Sequence, residues 1–407
     1  MSEDRPVTLP LIFVLLTVFI DAIGVGLIMP VMPSLLTEVG QVGLADAALL
    51  GGILTTAFAV MQFLCGPTVG ALSDRFGRRP VLLISLFVMA LDYLVMAVAQ
   101  TFALLLVARI VGGIVAATQS TAYAFIADIS KPEQKAARFG LISAAFGLGF
   151  VAGPVIGGLL AEYGTRAPFY AAALIAAANF ALGCFVLPET LKNRRPMTLA
   201  RSNPLGAFAH VGADPGLRRL LFLFFVYQVA FFIYPAIWAF FTEARFGWSP
   251  AWVGASLAAF GLAQAVVQGV LIRFILSAFG DRGTVLYGLI FNTVAFLVIA
   301  MLDNGMLLMA FVPLVAFGAV VVPALQSMLS RRAADDAQGE LQGVISSTAA
   351  LAIIVSPMLM TGVFATWGET FPGAPFILAA VLTIICIAIY TRIPRLAAAP
   401  AEPETSR

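Results

Sequence analysis

Twelve apolar runs of about twenty residues follow one another along the chain, over 9–32, 47–70, 80–99, 102–126, 138–161, 168–187, 218–242, 250–275, 284–302, 305–329, 341–366 and 374–393. At 1.5 Å per residue, each is long enough to cross a hydrocarbon core of ~30 Å as a helix. The expected fold class is therefore all-α: a membrane protein of twelve transmembrane helices in two six-helix bundles. Composition agrees. Charged residues make up 11% of the chain and hydrophobic ones 61%, where a soluble chain carries roughly 25% charged residues.

Residues 188–217 interrupt the rhythm. They hold Pro188, Pro196, Pro204 and Pro215 with Lys192, Arg194, Arg195 and Arg201, and they read as a cytoplasmic linker between an N-terminal bundle (1–187) and a C-terminal bundle (218–393). Residues 394–407 read as a disordered cytoplasmic tail. With both termini inside, the cytoplasmic segments hold all but three of the 23 Lys and Arg residues; Arg166 and Arg245 lie outside and Arg109 within a span. The opposite orientation breaks the positive-inside rule. A multi-pass inner-membrane protein is expected, and the net charge of +2 gives no sign of a nucleic-acid partner.

The first span is too long for a signal-peptide core, so it is read as retained. Cys65, Cys184 and Cys386 are isolated within spans and read as small packing residues rather than a disulfide or metal set. His210, the only histidine, falls in the linker. No nucleophile–base or metal constellation is present, so an enzyme, a metal site and a resident cofactor are not expected.

Between the second and third runs lies Gly70-Ala-Leu-Ser-Asp74-Arg75-Phe-Gly77-Arg78-Arg79-Pro80. Arginines in a short loop fix topology, but that accounts for neither the glycines nor Asp74. The ordered set Gly70, Asp74, Arg75, Gly77 and Arg78 resembles the loop between spans two and three of the major facilitator superfamily. A weaker echo, Gly280-Asp281-Arg282-Gly283, lies between spans eight and nine. Repeats of this kind imply a transporter whose site lies near the midplane between its halves.

Three ionisable residues lie deep in spans. Asp21 is about 12 residues, or roughly 18 Å, into span one, and Asp92 is similarly deep in span three; Arg109 lies roughly 10 Å from the other face. At one level, two acids and one base can share a cavity, and each needs a partner or water to avoid the cost of facing lipid. Burial favours a protonated carboxyl and a nearby guanidinium favours an ionised one. Movement of Arg109 relative to Asp21 or Asp92 is therefore one route to proton coupling; a static ion pair holding the bundle is the other reading. The second half offers only neutral polar residues at depth, namely Gln228, Gln264, Gln268, Asn292 and Gln326. They read as substrate-binding candidates or as hydrogen-bonding glue between helices. Gln264 and Gln268, four apart, share a helix face.

In span five, Gly149, Gly153 and Gly157 fall on one face beside Pro154, a stripe that lets another backbone approach closely. The order Gly-x-x-x-Gly-Pro-x-x-Gly-Gly also resembles the fifth-span motif of drug/proton antiporters, which implies export rather than uptake. Further along the chain the resemblance narrows to the tetracycline/proton antiporters. It rests on Asp21-Ala-Ile-Gly-Val-Gly-Leu-Ile-Met-Pro, Leu91-Asp92-Tyr93-Leu94, Ile126-Ala127-Asp128, Phe241-Thr242-Glu243, Pro323-Ala324-Leu325-Gln326 and Leu341-Gln342-Gly343. It implies functional roles for Asp21, Asp92 and Arg109, and a pairing of Arg78 with Asp128 in the outward-facing state. Asp74 is expected near the start of span eleven, where it complements the helix dipole.

Two positions depart from the family pattern. Gln264 stands where a histidine is usual, and Asn292 where an aspartate is usual. Proton coupling then falls to Asp21 or Asp92. The resemblance implies a monomer that exchanges protons for tetracycline-like or other amphipathic drugs, a metal–drug chelate among them. A sugar or organic-anion symporter of the same fold is the alternative, and a transporter-like sensor without transport belongs to another class.

Overall fold

In a computed structural model, described over residues 8–116, 118–191, 203, 208, 215–332 and 338–392, the chain is helical almost throughout. Most of the predicted linker, with His210, and the tail 394–407 lie outside the described residues. In the first half the helices are α1 (Thr8–Ile28), α2 (Met32–Gly40), α3 (Leu44–Phe76), α4 (Arg78–Val98), α5 (Phe102–Val115), α6 (Thr118–Ile129), α7 (Pro132–Leu160) and α8 (Ala167–Val186). In the second they are α9 (Pro215–Phe231), α10 (Ile233–Phe246), α11 (Pro250–Val266), α12 (Ile272–Met301), α13 (Gly305–Val315), α14 (Val321–Ser330), α15 (Gln338–Trp367) and α16 (Ala374–Thr391).

Joined end to end, these form 11 rods long and apolar enough to cross a membrane among the described residues. One of them, Pro250–Met301, has 52 residues. That is about 78 Å of helix against a core of ~30 Å. Its axis is broken by Gly280, whose φ of 64° and ψ of 175° are non-helical; a side chain there meets the steric penalty of positive φ. The sequence placed this break at 276–283, and the residues around Gly280 are more helical than a loop.

Backbone proximity explains the glycine stripe. Gly149, Gly153 and Gly157 of α7 lie on successive turns against the carbonyl groups of Phe19, Ile23 and Leu27 of α1, and Gly26 of α1 in turn meets Pro154 and Gly153. A β-carbon at any of these contacts overlaps main-chain atoms. The same helix faces the second half: Gly158 rests on Pro250 and Ala251, and Gly254 of α11 on the Pro154 carbonyl. On the other flank, Gly52 of α3 meets Thr361 of α15, and the Thr56 hydroxyl donates to the Ile354 carbonyl at 3.2 Å.

These cross-half contacts gather at one end of the molecule. One hydrophobic cluster there contains residues of both halves, Leu27, Val31 and Leu54 together with Ile237, Val253 and Phe364. At the other end, which carries the Asp74–Arg79 loop, the cores separate. Phe13, Leu82, Phe125 and Leu187 form a cluster of the first half, and Leu220, Tyr227, Leu325 and Tyr390 one of the second. The two halves are thus sealed together at one end and parted at the loop end.

Candidate functional site

At the parted end, Arg78 organises a charged network. Its guanidinium pairs with Asp74 at 2.6 Å, pairs through Nε with Asp128 at 3.1 Å, and donates to the Ser73 hydroxyl at 2.6 Å. The Arg78–Asp128 contact lies wholly within the first half and exists while this end is open, so it is not confined to the outward-facing state in which it was expected. Asp74 turns toward Arg78 in the i, i+4 relation. Arg75 is exposed and lies over the Phe76 ring. Gly70 has open space around it here, whereas Gly77 adopts a φ of 116°.

Glu189 was missed by sequence reasoning, which left it in the linker. Its carboxylate accepts the backbone N–H groups of Arg78 (2.9 Å) and Arg79 (3.3 Å), and also those of Thr190 and Leu191 (both 3.0 Å). An anion at the first turn of α4 satisfies donors that have no helical partner and complements the dipole. Thr190 donates to Asp128 at 3.3 Å, and Arg79 to the Cys184 carbonyl at 2.7 Å. The only sequence signal was the isolated acid next to Pro188. In the echo in the second half the loop acid makes the pair that the loop arginine makes in the first: Asp281 accepts from Ser327 at 3.4 Å and pairs with Arg331 at 2.8 Å.

The buried charges do not form one cluster. Asp92, which is 3% exposed, forms an ion pair with Arg109 of α5. The guanidinium also lies 5.1 Å from the centroid of Phe58 on α3. A β-carbon on Gly112 would come within 3.1 Å of the Asp92 carboxylate, so glycine leaves room for it. Asp21 faces elsewhere. It lines a small cavity between α1, α4 and α8 with Tyr93 and Asn179, and no hydrogen bond or ion pair reaches it among the described residues. Tyr93 directly follows Asp92, so α4 presents one to Asp21 and the other to Arg109. The expectation of a single shared cavity is corrected accordingly: depth in the membrane is common to the three residues, but facing direction is not.

In the second half, Asn292 is fully buried. Its amide donates to the Tyr227 hydroxyl at 3.1 Å and to the Gly288 and Gly318 carbonyls at 2.9 Å. These contacts lock it among α9, α12 and the turn before α14, out of reach of a molecule between the halves in this state. Gln268 donates to the Ala319 carbonyl at 3.3 Å from a π-helical turn over Val267–Leu271, which interrupts the helical phase it was expected to share with Gln264. Gln228, Gln264 and Gln326 are half-buried. The aromatics of α10 are packing residues: Tyr234, Trp238 and Phe241 cluster with Phe376, and the Trp238 indole donates to Ser256 at 2.9 Å.

Between α3 and α15, on the open side of the Thr56–Ile354 contact, a cleft of about 240 Å³ is lined by Gln62, Phe63, Pro67, Ser346, Ser347 and Ile353 among others. Gln62 donates to the Ala116 carbonyl at 3.0 Å, at the break between α5 and α6.

The sequence profile of the Major Facilitator Superfamily matches residues 14–243 and 219–406. The chain is similar to a class C tetracycline resistance protein of Escherichia coli, with 41% identity over 93% of this chain and 95% of that one. It is similar to a class G tetracycline resistance protein of Vibrio anguillarum, with 37% identity over 94% and 97%. Among solved structures, the human organic anion transporter MFSD10 superposes with a TM-score of 0.69 at 29% identity, covering 95% of this chain and all of that one.

Proposed function

This chain belongs to the Major Facilitator Superfamily, together with the tetracycline resistance proteins, and we propose that it is a proton-coupled efflux antiporter of tetracycline-like or other amphipathic drugs. The observation that carries this reading is the 41% identity to the class C protein over nearly the full length of both chains. The resistance relatives favour export over uptake of a sugar or organic anion.

In this reading the 52-residue rod is two spans meeting at Gly280, which makes twelve spans in two six-helix bundles of 1–187 and 218–393. The arginine-rich Asp74–Arg79 loop faces the cytoplasm, as do both termini, in the inner membrane. The state described above is then inward-facing: closed outside by α7 on α11 and by α3 on α15, open inside. Export proceeds by rocking of one bundle against the other. The glycine contacts of α7 with α11 release on the outer side, and the Arg78 network meets the second bundle on the inner side. The protein works as a monomer, and the proton gradient supplies the work without a bound cofactor.

Asp21 is the first choice for the proton carrier, because Asp92 is held by Arg109 and the second half offers no acid at depth. Asn292 and Gln264 leave no charged partner there for a metal–drug chelate, so substrates beyond chelated tetracycline fit this chain. The test is drug-induced proton release from acid-loaded inverted vesicles, with tetracycline offered with and without magnesium. Release in the parent and its loss in a correctly inserted Asp21→Asn variant support the assignment. Undiminished release in that variant moves the proton to Asp92 or rules out both acids.

A further inference from the structure

The cavity beside Asp21 has twelve lining residues, of which only Asp21, Tyr93 and Asn179 bring polar side chains. The Tyr93 hydroxyl and the Asn179 amide nitrogen are both buried without a hydrogen-bond partner among the described residues. The orientation of Asn179 is fixed from behind. Asn179 Oδ1 accepts the Thr17 hydroxyl at 3.3 Å, a contact that orients the amide and leaves its N–H donors for another acceptor. The Tyr93 hydroxyl reaches the level of Asp21 only because position 24 is glycine; a β-carbon there would lie 2.5 Å from it.

Two buried donors without acceptors are costly, and among the residues lining the cavity the one anionic acceptor is the Asp21 carboxylate. The cavity volume is about 10 Å³, close to the space that one water needs. We infer that Tyr93 and Asn179 are positioning residues for the Asp21 proton: they donate to a water in this cavity whose own hydrogens bond the ionised carboxylate. This rests on the Asp21 assignment made above. Among the described residues lining the cavity, Tyr93 is the only other titratable group. Asp92, on the adjoining face of α4, is neutralised by Arg109. Between Ala167 and Val186 α8 has no charged residue, and α7, packed on another face of α1, has none from Phe139 to Leu160.

The test reads the protonation of Asp21 itself. The infrared carboxyl band that is lost in Asp21→Asn is titrated in the parent and in Tyr93→Phe, Asn179→Leu and Gly24→Ala, each compared at parental insertion level. Each donor holds the water that bonds the charged carboxylate, so its loss weakens that bond and raises proton affinity by up to about tenfold; each midpoint is expected to rise by up to about one pH unit. Gly24→Ala displaces the Tyr93 hydroxyl without removing a polar group, and it reports even where Asn179→Leu does not insert. Drug-induced proton release should shift in the same direction. Coincident Asp21 titrations in Tyr93→Phe, Gly24→Ala and the parent overturn the inference while leaving Asp21 as the proton site. Absence of an Asp21 band that titrates in the parent removes the assignment itself, and the inference with it.

Discussion

The Glu189 carboxylate fills the place that a side chain on Gly77 would need. Gly77 is therefore constrained twice, by a φ of 116° that suits glycine and by a carboxylate that must reach the first N–H groups of α4. The glycine of the arginine loop and the acid that ends the first half are 112 positions apart in sequence and act as one joint.

Gly77→Ala should disturb both constraints. Backbone strain of about 1–3 kcal/mol adds to displacement of Glu189 from the α4 terminus. A lower melting temperature in detergent and weaker export at matched protein level are expected. Glu189→Ala should reproduce the second effect without the first, and so be milder. Equal melting temperatures for Gly77→Ala and the parent count against the joint.

Arg109→Ala should be more harmful than removal of both members of its pair. It leaves Asp92 buried and uncompensated, a loss of about 3–5 kcal/mol when one partner of a buried pair is removed. Asp92→Asn combined with Arg109→Gln keeps neutral groups of similar shape and should recover insertion and thermal stability, though not necessarily export. The melting temperatures of the single and double variants decide this. An additive loss in the double variant means that the two residues are not coupled.

The glycines of α7 should separate into two kinds. Gly153 meets α1 within the first half, so Gly153→Val overpacks a contact that persists through the cycle; a loss of about 1–3 kcal/mol is expected. Gly254 meets the Pro154 carbonyl across the halves, at the sealed end. Gly254→Val should therefore open that end with less effect on stability. Spin-label distances between the halves at the sealed end should lengthen in Gly254→Val and not in Gly153→Val. Unchanged distances in both argue against α7–α11 as the closing contact.

The helices and the charged loop were legible because both rest on local pattern. Apolar runs give spans, and Gly77 with its arginines gives a turn at a membrane surface. Arg78 with Asp128 was readable through family resemblance. What escaped depends on direction and distance. Depth along a helix placed Asp21, Asp92 and Arg109 at one level but carried no information on facing, so the division of Tyr93 and Asp92 between two sides of α4 was hidden. Glu189 was hidden because a bond to residues 110 and 111 positions earlier leaves no periodic trace. Asn292 stayed open between two readings because polarity inside a span suits both a substrate contact and a sealed hydrogen-bond cage.

That cage bears on restoring the usual family residues with Asn292→Asp and Gln264→His. The Asn292 amide nitrogen lies within hydrogen-bonding distance of the Gly288 and Gly318 carbonyls and the Tyr227 hydroxyl, and its two N–H groups are shared among them. Aspartate has no N–H donor, and when ionised it places a carboxylate against two carbonyl oxygens with only the tyrosine hydroxyl to bond it. An unpaired buried charge held against two carbonyl oxygens should destabilise the second half by several kcal/mol. A β-carbon on Gly318 would also strike Asn292, so Gly318→Ala should be harmful through the same contact. Asn292→Asp is therefore expected to lower the melting temperature without raising export of magnesium-bound tetracycline relative to a neutral drug. A rise in that ratio at parental stability would mean that position 292 turns into the substrate path in another state of the cycle.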